Sequence, residues 1–142
     1  MNIEIELKLY NIIKHAPSYQ IILNDEIVYD RASNFNSVDM IHLDNIQLSD
    51  INTLLIKHHL KDTSWTTGLA DVAIELKRIK FDGVLLNNNT MFDQTFTPDP
   101  IHNIEPMVQN CYFGCNGIWA ISFPQKYDAW LIKPYYDEDF GI

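Results

Sequence analysis

Leu69-Ala70-Asp71-Val72-Ala73-Ile74-Glu75-Leu76-Lys77-Arg78-Ile79-Lys80-Phe81 is the stretch on which the fold turns. It carries two periodicities. Leu69, Val72, Ala73, Leu76 and Ile79 fall on one helical stripe. Val72, Ile74 and Leu76 also alternate with period two, after which the apolar parity switches to Ile79 and Phe81. One extra residue near Lys77-Arg78 turns that switch into a β-bulge within a single strand. The strand reading is preferred over the helix because the segments on both sides read as strands and need a neighbour. Asp82-Gly83 then forms a hairpin turn signal leading into Val84-Leu85-Leu86.

Working outward, Leu54, Ile56, His58 and Leu60 share one strand face, and Thr53, Leu55, Lys57 and His59 the other. Ile3, Ile5, Leu7 and Leu9 alternate with Glu4, Glu6 and Lys8, the cleanest half-buried strand pattern in the chain. His15-Ala16-Pro17-Ser18 is turn chemistry, and Tyr19, Ile21 and Leu23 resume the alternation. Asn24-Asp25-Glu26 reads as a tight turn into Ile27-Val28-Tyr29. Residues 32–37 form a polar loop, residues 38–43 a further strand, and Asp44-Asn45 another turn. Downstream, residues 87–110 form a long irregular region holding Pro98, Pro100 and Pro106. Loops of that length are usually functional or laid over a partner. Residues 117–123 read as a closing strand, and residues 127–132 as a last short strand or turn before an acidic, aromatic tail. Short strands at close spacing predict an all-β fold, an antiparallel β-sandwich of jelly-roll type, in a single domain covering 1–142.

The 142 residues suffice for a core without staples. Nineteen acidic against ten basic residues give a formal charge of −9. That sign argues against nucleic acid, whose phosphates need clustered Lys and Arg, and against anionic membrane surfaces. It leaves cations, neutral sugars and proteins as partners. Met1-Asn2-Ile3-Glu4-Ile5-Glu6 lacks the basic start of a signal peptide, and no apolar run approaches a membrane span. A soluble protein made in the cytoplasm is expected. Cys111 and Cys115 would stand about 13 Å apart in a strand, too far to bridge. Gly114 can fold them together, but ordinary buried thiols are the plainer reading.

The search for chemistry finds no nucleophile elbow, phosphate loop or zinc-protease helix. His58 falls on the apolar parity and reads as a hydrogen-bonded core histidine. His59 with Asp62 is a weak base-and-orienter pair with no nucleophile beside it, so the chain is not expected to be an enzyme. Asp62, Asp71 and Asp82 bracket the loop and the strand after it. They are candidates for a calcium site, which needs six to eight oxygens at roughly 2.4 Å; each also reads as a turn or cap residue. No other cofactor is implied. Trp119 reads as core. Trp65 lies in Lys61-Asp62-Thr63-Ser64-Trp65-Thr66-Thr67-Gly68. An aromatic among hydroxyls and acids stacks on sugars or anchors in a partner pocket, and it equally can fold back over the core edge.

His58-His59-x-Lys61-Asp62-Thr63, followed by Asp71-x-Ala73-x-Glu75-x-Lys77-x-Ile79-x-Phe81-Asp82-Gly83, resembles the β-sandwich of calcium-dependent xylan-binding carbohydrate-binding modules. It is also similar to virion proteins of tailed phages built on that plan. Those phage-like proteins carry a segment resembling Gly114-Cys115-Asn116-Gly117-Ile118-Trp119-Ala120-Ile121-Ser122-Phe123-x-x-x-Tyr127-x-x-Trp130-Leu131. The likeness spans residues 16–132 and consists mostly of strand pattern and turns. It implies loop-acid calcium coordination, for which Asp62, Asp71 and Asp82 are the corresponding positions, although the dense acidic loop of those modules is absent.

Two functions follow as expectations. The first is a non-enzymatic virion accessory protein of a tailed phage, a capsid decoration, neck, baseplate or fibre component. It would be made in the host cytoplasm and act by assembly with other virion proteins, docking through Tyr135, Tyr136 and Phe140 of the tail. The alternative is a calcium-dependent carbohydrate-binding module using Trp65 and the loop acids, with a host-surface glycan as partner. A homo-oligomer formed through strand edges such as residues 3–9 fits either.

Overall fold

The computed structural model describes residues 1–66 and 71–126. Two antiparallel sheets face each other. The first has the order β10-β6-β1-β4, with β7 also on β6. It is built from β1 (Ile3–Tyr10), β4 (Val38–Leu43), β6 (Ala73–Phe81), β7 (Val84–Leu85) and β10 (Tyr112–Phe113). The second has the order β3-β2-β5-β11-β8-β9. Its strands are β2 (Ser18–Leu23), β3 (Glu26–Arg31), β5 (Ile51–His59), β8 (Thr95–Pro98), β9 (Met107–Val108) and β11 (Gly117–Pro124). The fold is the expected antiparallel β-sandwich.

Within the deciding stretch, Ala73–Phe81 is a strand with a bulge where its parity switches. Glu6 pairs Arg78 and Leu7 pairs Leu76, so Lys77 is the extra residue. Ile74, Leu76, Ile79 and Phe81 therefore all reach the core while Lys77 and Arg78 stay in water. The two sharp turns are left-handed at both central positions. Asn24 and Asp25 have φ of 49° and 67°, and Asp82 and Gly83 of 48° and 81°. That geometry matches the twist of the strands that each turn joins.

Ile3, Ile5, Leu7 and Leu9 face Tyr19, Ile21, Leu54, Ile56, Ile121 and Phe123 across a closed core. Between the sheets Phe96 stacks on Phe113 at 4.8 Å, and Phe81 tilts against Phe123 at 4.9 Å. Trp119 is fully buried, as expected. Each such side chain contributes about 1.5–3 kcal/mol through the apolar area it removes from water. Asp39 adds a polar tie, accepting hydrogen bonds from the hydroxyls of Tyr19 and Tyr29 and the amide of Asn34.

Three expectations are corrected. Residues 3–9 are no free edge, because β1 is flanked by β4 and β6 and offers no open backbone to a second chain. Leu60 does not continue the buried face of β5; its φ of 63° turns the chain and leaves it 66% exposed. The stretch 87–110 is less irregular than its composition suggests. It holds the short helix α1 (Asn88–Phe92), β8 and β9, and β8 pairs along β11. Residues 127–132 and the tail with Tyr135, Tyr136 and Phe140 lie outside the described residues. Among the described residues, no helix is long and apolar enough to cross a membrane.

Candidate functional site

One end of the sandwich gathers the candidate residues. The antiparallel registers bring together the end of β1, the start of β2, the end of β5, the start of β6, β10 and the start of β11. The connection after β5 is the loop carrying Trp65. Asp62 opens it, accepting a hydrogen bond from the Ser64 backbone N–H at 2.9 Å and so capping a single 3₁₀ turn, Thr63–Trp65. That bond holds the Asp62 carboxyl below the usual carboxylate range. The turn projects the Trp65 indole onto the His15 imidazole, with ring centroids 4.1 Å apart and planes 16° from parallel. His15 is set there by the tight connection from β1, where it exchanges backbone hydrogen bonds with Ile12 and Lys14 takes a left-handed φ of 74°. One face of the indole is thus covered and the ring is half-buried.

The same loop end holds a charged knot. Lys61 Nζ donates to Asp71 Oδ1 at 2.6 Å and to the Gly114 carbonyl oxygen. Its side chain is only 4% exposed, against 24% for that of Asp71. Asp71 Oδ1 also accepts from Thr66 Oγ1 at 2.9 Å and the Val72 backbone N–H at 2.8 Å, while Oδ2 accepts from the Tyr112 hydroxyl at 2.8 Å. Burial pushes the Asp71 carboxyl up, but the hydrogen bonds from Lys61, Tyr112 and Thr66 outweigh it and hold the group below its ordinary range. Burial and the Asp71 carboxylate push the Tyr112 phenol up. Asn116 clamps the backbone of Lys61 from both sides, accepting from its N–H at 3.0 Å and donating to its carbonyl at 2.9 Å. Tyr112 also meets Tyr10 edge-on at 5.5 Å, and the Tyr10 hydroxyl donates to Glu75 at 3.1 Å.

The three candidate calcium ligands are not one site. Asp62 and Asp71 share the loop end, but Asp82 sits beyond the far end of β6, roughly 25–30 Å along the strand. There Asp82 Oδ1 accepts from the Asn2 backbone N–H at 2.6 Å. Among the described residues, no three histidine, cysteine, aspartate or glutamate side chains converge as a metal site requires. Calcium needs six to eight oxygen donors, whereas both Asp71 oxygens and the Gly114 carbonyl are already engaged by N–H and O–H groups. The described residues do not fit that ion.

The histidines also resolve. His58 is buried between the sheets, with Nδ1 2.9 Å from the Phe113 carbonyl oxygen. Burial pulls its pKa down to about 4. His59 and Asp62 form no pair: Asp62 is spent on its cap, and His59 Nε2 has no partner among the described residues. Cys111 and Cys115 are free thiols.

Sequence reasoning found Asp62, Trp65 and Asp71 but missed Lys61, Tyr112, Gly114 and Asn116, which complete the knot. A lysine just past a strand reads as solvated, and nothing local ties it to a carbonyl 53 residues away.

No known sequence family matches the chain. No curated protein matches it. Two solved structures share its fold. One is vCBM60, a carbohydrate-binding module, in complex with galactobiose; it is 10% identical with a TM-score of 0.54, covering 84% of this chain and 96% of that one. The other is the selenomethionine form of vCBM60, described in work on circular permutation linking two families of calcium-dependent carbohydrate binding modules. It is 9% identical with a TM-score of 0.54, covering 84% of this chain and 87% of that one. At such identity the likeness is one of fold.

Proposed function

We propose that the chain is a non-catalytic carbohydrate-binding module that holds a neutral glycan at the loop end carrying Trp65. The observation that carries this reading is the His15–Trp65 stack at 4.1 Å, a half-buried aromatic platform whose loop is tied to the Lys61–Asp71 knot through the Thr66 hydroxyl. Sugar rings present C–H faces to aromatic surfaces and hydroxyls to polar groups, and this end supplies both. The galactobiose held by a structure of the same fold supports the ligand class. The net charge of −9 disfavours phosphate-rich partners.

The virion role expected from the sequence finds no counterpart among the matched structures. It is compatible with the present reading, since a particle-borne module would present the same end to a host-surface glycan.

A glycan array including galactobiose and xylo-oligosaccharides tests the proposal. Binding that falls at least about tenfold in Trp65→Ala is expected, the loss of one aromatic stacking contact being on the order of 1.4 kcal/mol or more. Binding that survives Trp65→Ala unchanged removes this end as the site.

A further inference from the structure

The buried ammonium of Lys61 raises a question that its neighbours answer. A lysine is rarely placed at 4% side-chain exposure without a partner for its charge. Here Nζ faces a carboxylate oxygen of Asp71 and the carbonyl oxygen of Gly114, two donors of the kind that hard cations collect. These two oxygens come from separate parts of the chain, the start of β6 and the turn before β11, and the lysine itself from a third, the loop after β5. The ammonium therefore joins three segments at the loop end by oxygen contacts, as a bound cation does.

We propose that the Lys61 ammonium stands in place of a metal cation at this end of the sandwich, so that the loop end is organised without calcium. The inference rests on the reading of this end as a glycan site and sets its ionic requirement. One positive charge already answers the Asp71 carboxylate. A second cation entering beside it would meet the like charge of Lys61 and would have to displace hydrogen bonds from Lys61, Thr66, Val72 and Tyr112. Asn116, which fixes the Lys61 backbone through both of its polar groups, keeps the side chain aimed inward.

The experiment is thermal unfolding of the chelator-treated full chain in EGTA and in millimolar CaCl2. The comparison includes Lys61→Met, Asp71→Asn and the double variant. The parent is expected to melt at the same temperature in both buffers. Lys61→Met is expected to melt roughly 5–15 °C lower, because it strands a partly buried carboxylate. The double variant should recover part of that loss, since it removes both charges of the pair. A saturable rise in the parent's melting temperature with calcium overturns the proposal. So does a Lys61→Met protein that melts like the parent. Should Lys61→Met fail to fold, recovery of folding in the double variant still supports the pairing, and failure of both refutes it. Melting needs no glycan: a silent array with calcium-indifferent melting sinks the glycan reading alone, whereas array binding that appears only with calcium sinks this inference alone.

Discussion

His58 Nδ1 lies 2.9 Å from the carbonyl oxygen of Phe113, a hydrogen bond that crosses from the six-stranded sheet to the five-stranded one. The acceptor is a carbonyl, so Nδ1 carries the proton, and burial favours the neutral ring. Burial holds the native pKa near 4, against an ordinary value of 6.5. The unfolded chain thus binds a proton that the native one refuses between those values, and stability falls as pH drops through that window. Up to about 3 kcal/mol is at stake for a shift of this size. Denaturant melts from pH 7 to pH 4 should show that loss, and His58→Gln should flatten the slope between pH 6.5 and 4 while lowering stability at pH 7. An unchanged slope in the variant would assign the acid sensitivity elsewhere.

Asp71 acts in a lower window. Its native carboxyl sits below its ordinary range, so its contribution is present above the unfolded pKa of about 4 and is lost as pH falls through the native value. Tyr112→Phe removes the donor to Oδ2 without changing the ring. It should cost on the order of 1 kcal/mol at pH 7 and less at a pH acid enough to protonate the parent's carboxyl. Equal losses at both pH values would show that the hydroxyl does not serve the carboxylate.

Gly117 opens β11 where three strands meet. A Cβ there would stand 2.6 Å from the Thr97 carbonyl oxygen, 2.7 Å from Phe96 Cζ and 2.8 Å from Pro98 Cα. Two of these atoms are backbone and cannot swing away. Gly117→Ala should therefore cost roughly 1–3 kcal/mol by urea denaturation, with the loop end that holds Lys61 disturbed through neighbouring Asn116. Parent-like stability would mean that β8 shifts freely against β11.

Lys77 offers a counterintuitive deletion. Removing it leaves Leu76 opposite Leu7 and Arg78 opposite Glu6 in unbroken alternation, since Lys77 alone makes the register shift. The chain without Lys77 should fold and melt only a few degrees below the parent. Deleting Lys80 instead turns Phe81 out of the core and should abolish cooperative unfolding, because a one-residue slip inverts every later side chain. Equal damage from the two deletions would contradict the bulge.

Most of the sandwich was legible because half-buried strands announce themselves residue by residue. Ile3, Ile5, Leu7 and Leu9 gave β1, and the parity switch between Leu76 and Ile79 gave both β6 and its bulge. Asn24-Asp25 and Asp82-Gly83 gave the two hairpin turns through their tolerance of left-handed backbone. β8 was hidden because its four residues end in Pro98 and lie within a polar, proline-bearing stretch, so its pairing with β11 shows only in three dimensions. The site was half legible for a related reason. Trp65 and Asp71 stand out in a polar loop, but the partners that give Asp71 its state, Lys61 and Tyr112, lie 10 and 41 residues away. No spacing rule joins them.

The position of β11 sets the order in which the molecule can be made. β1, β4 and β6 are all present once the ribosome has passed residue 81, so that much of the first sheet can zip during synthesis. The second sheet cannot close so early. β3-β2-β5 and β8-β9 are two separate ribbons until β11 slots between β5 and β8. Until then, the flanks of β5 and β8 that later receive β11 carry unpaired backbone groups, the kind of edge that invites pairing with other chains. Closing it needs β11 to find β5, whose paired residues lie far away in the chain (Gly117 with His58, Pro124 with Ile51), which makes the step slow. A nascent chain of this kind is at its most aggregation-prone just before β11 emerges.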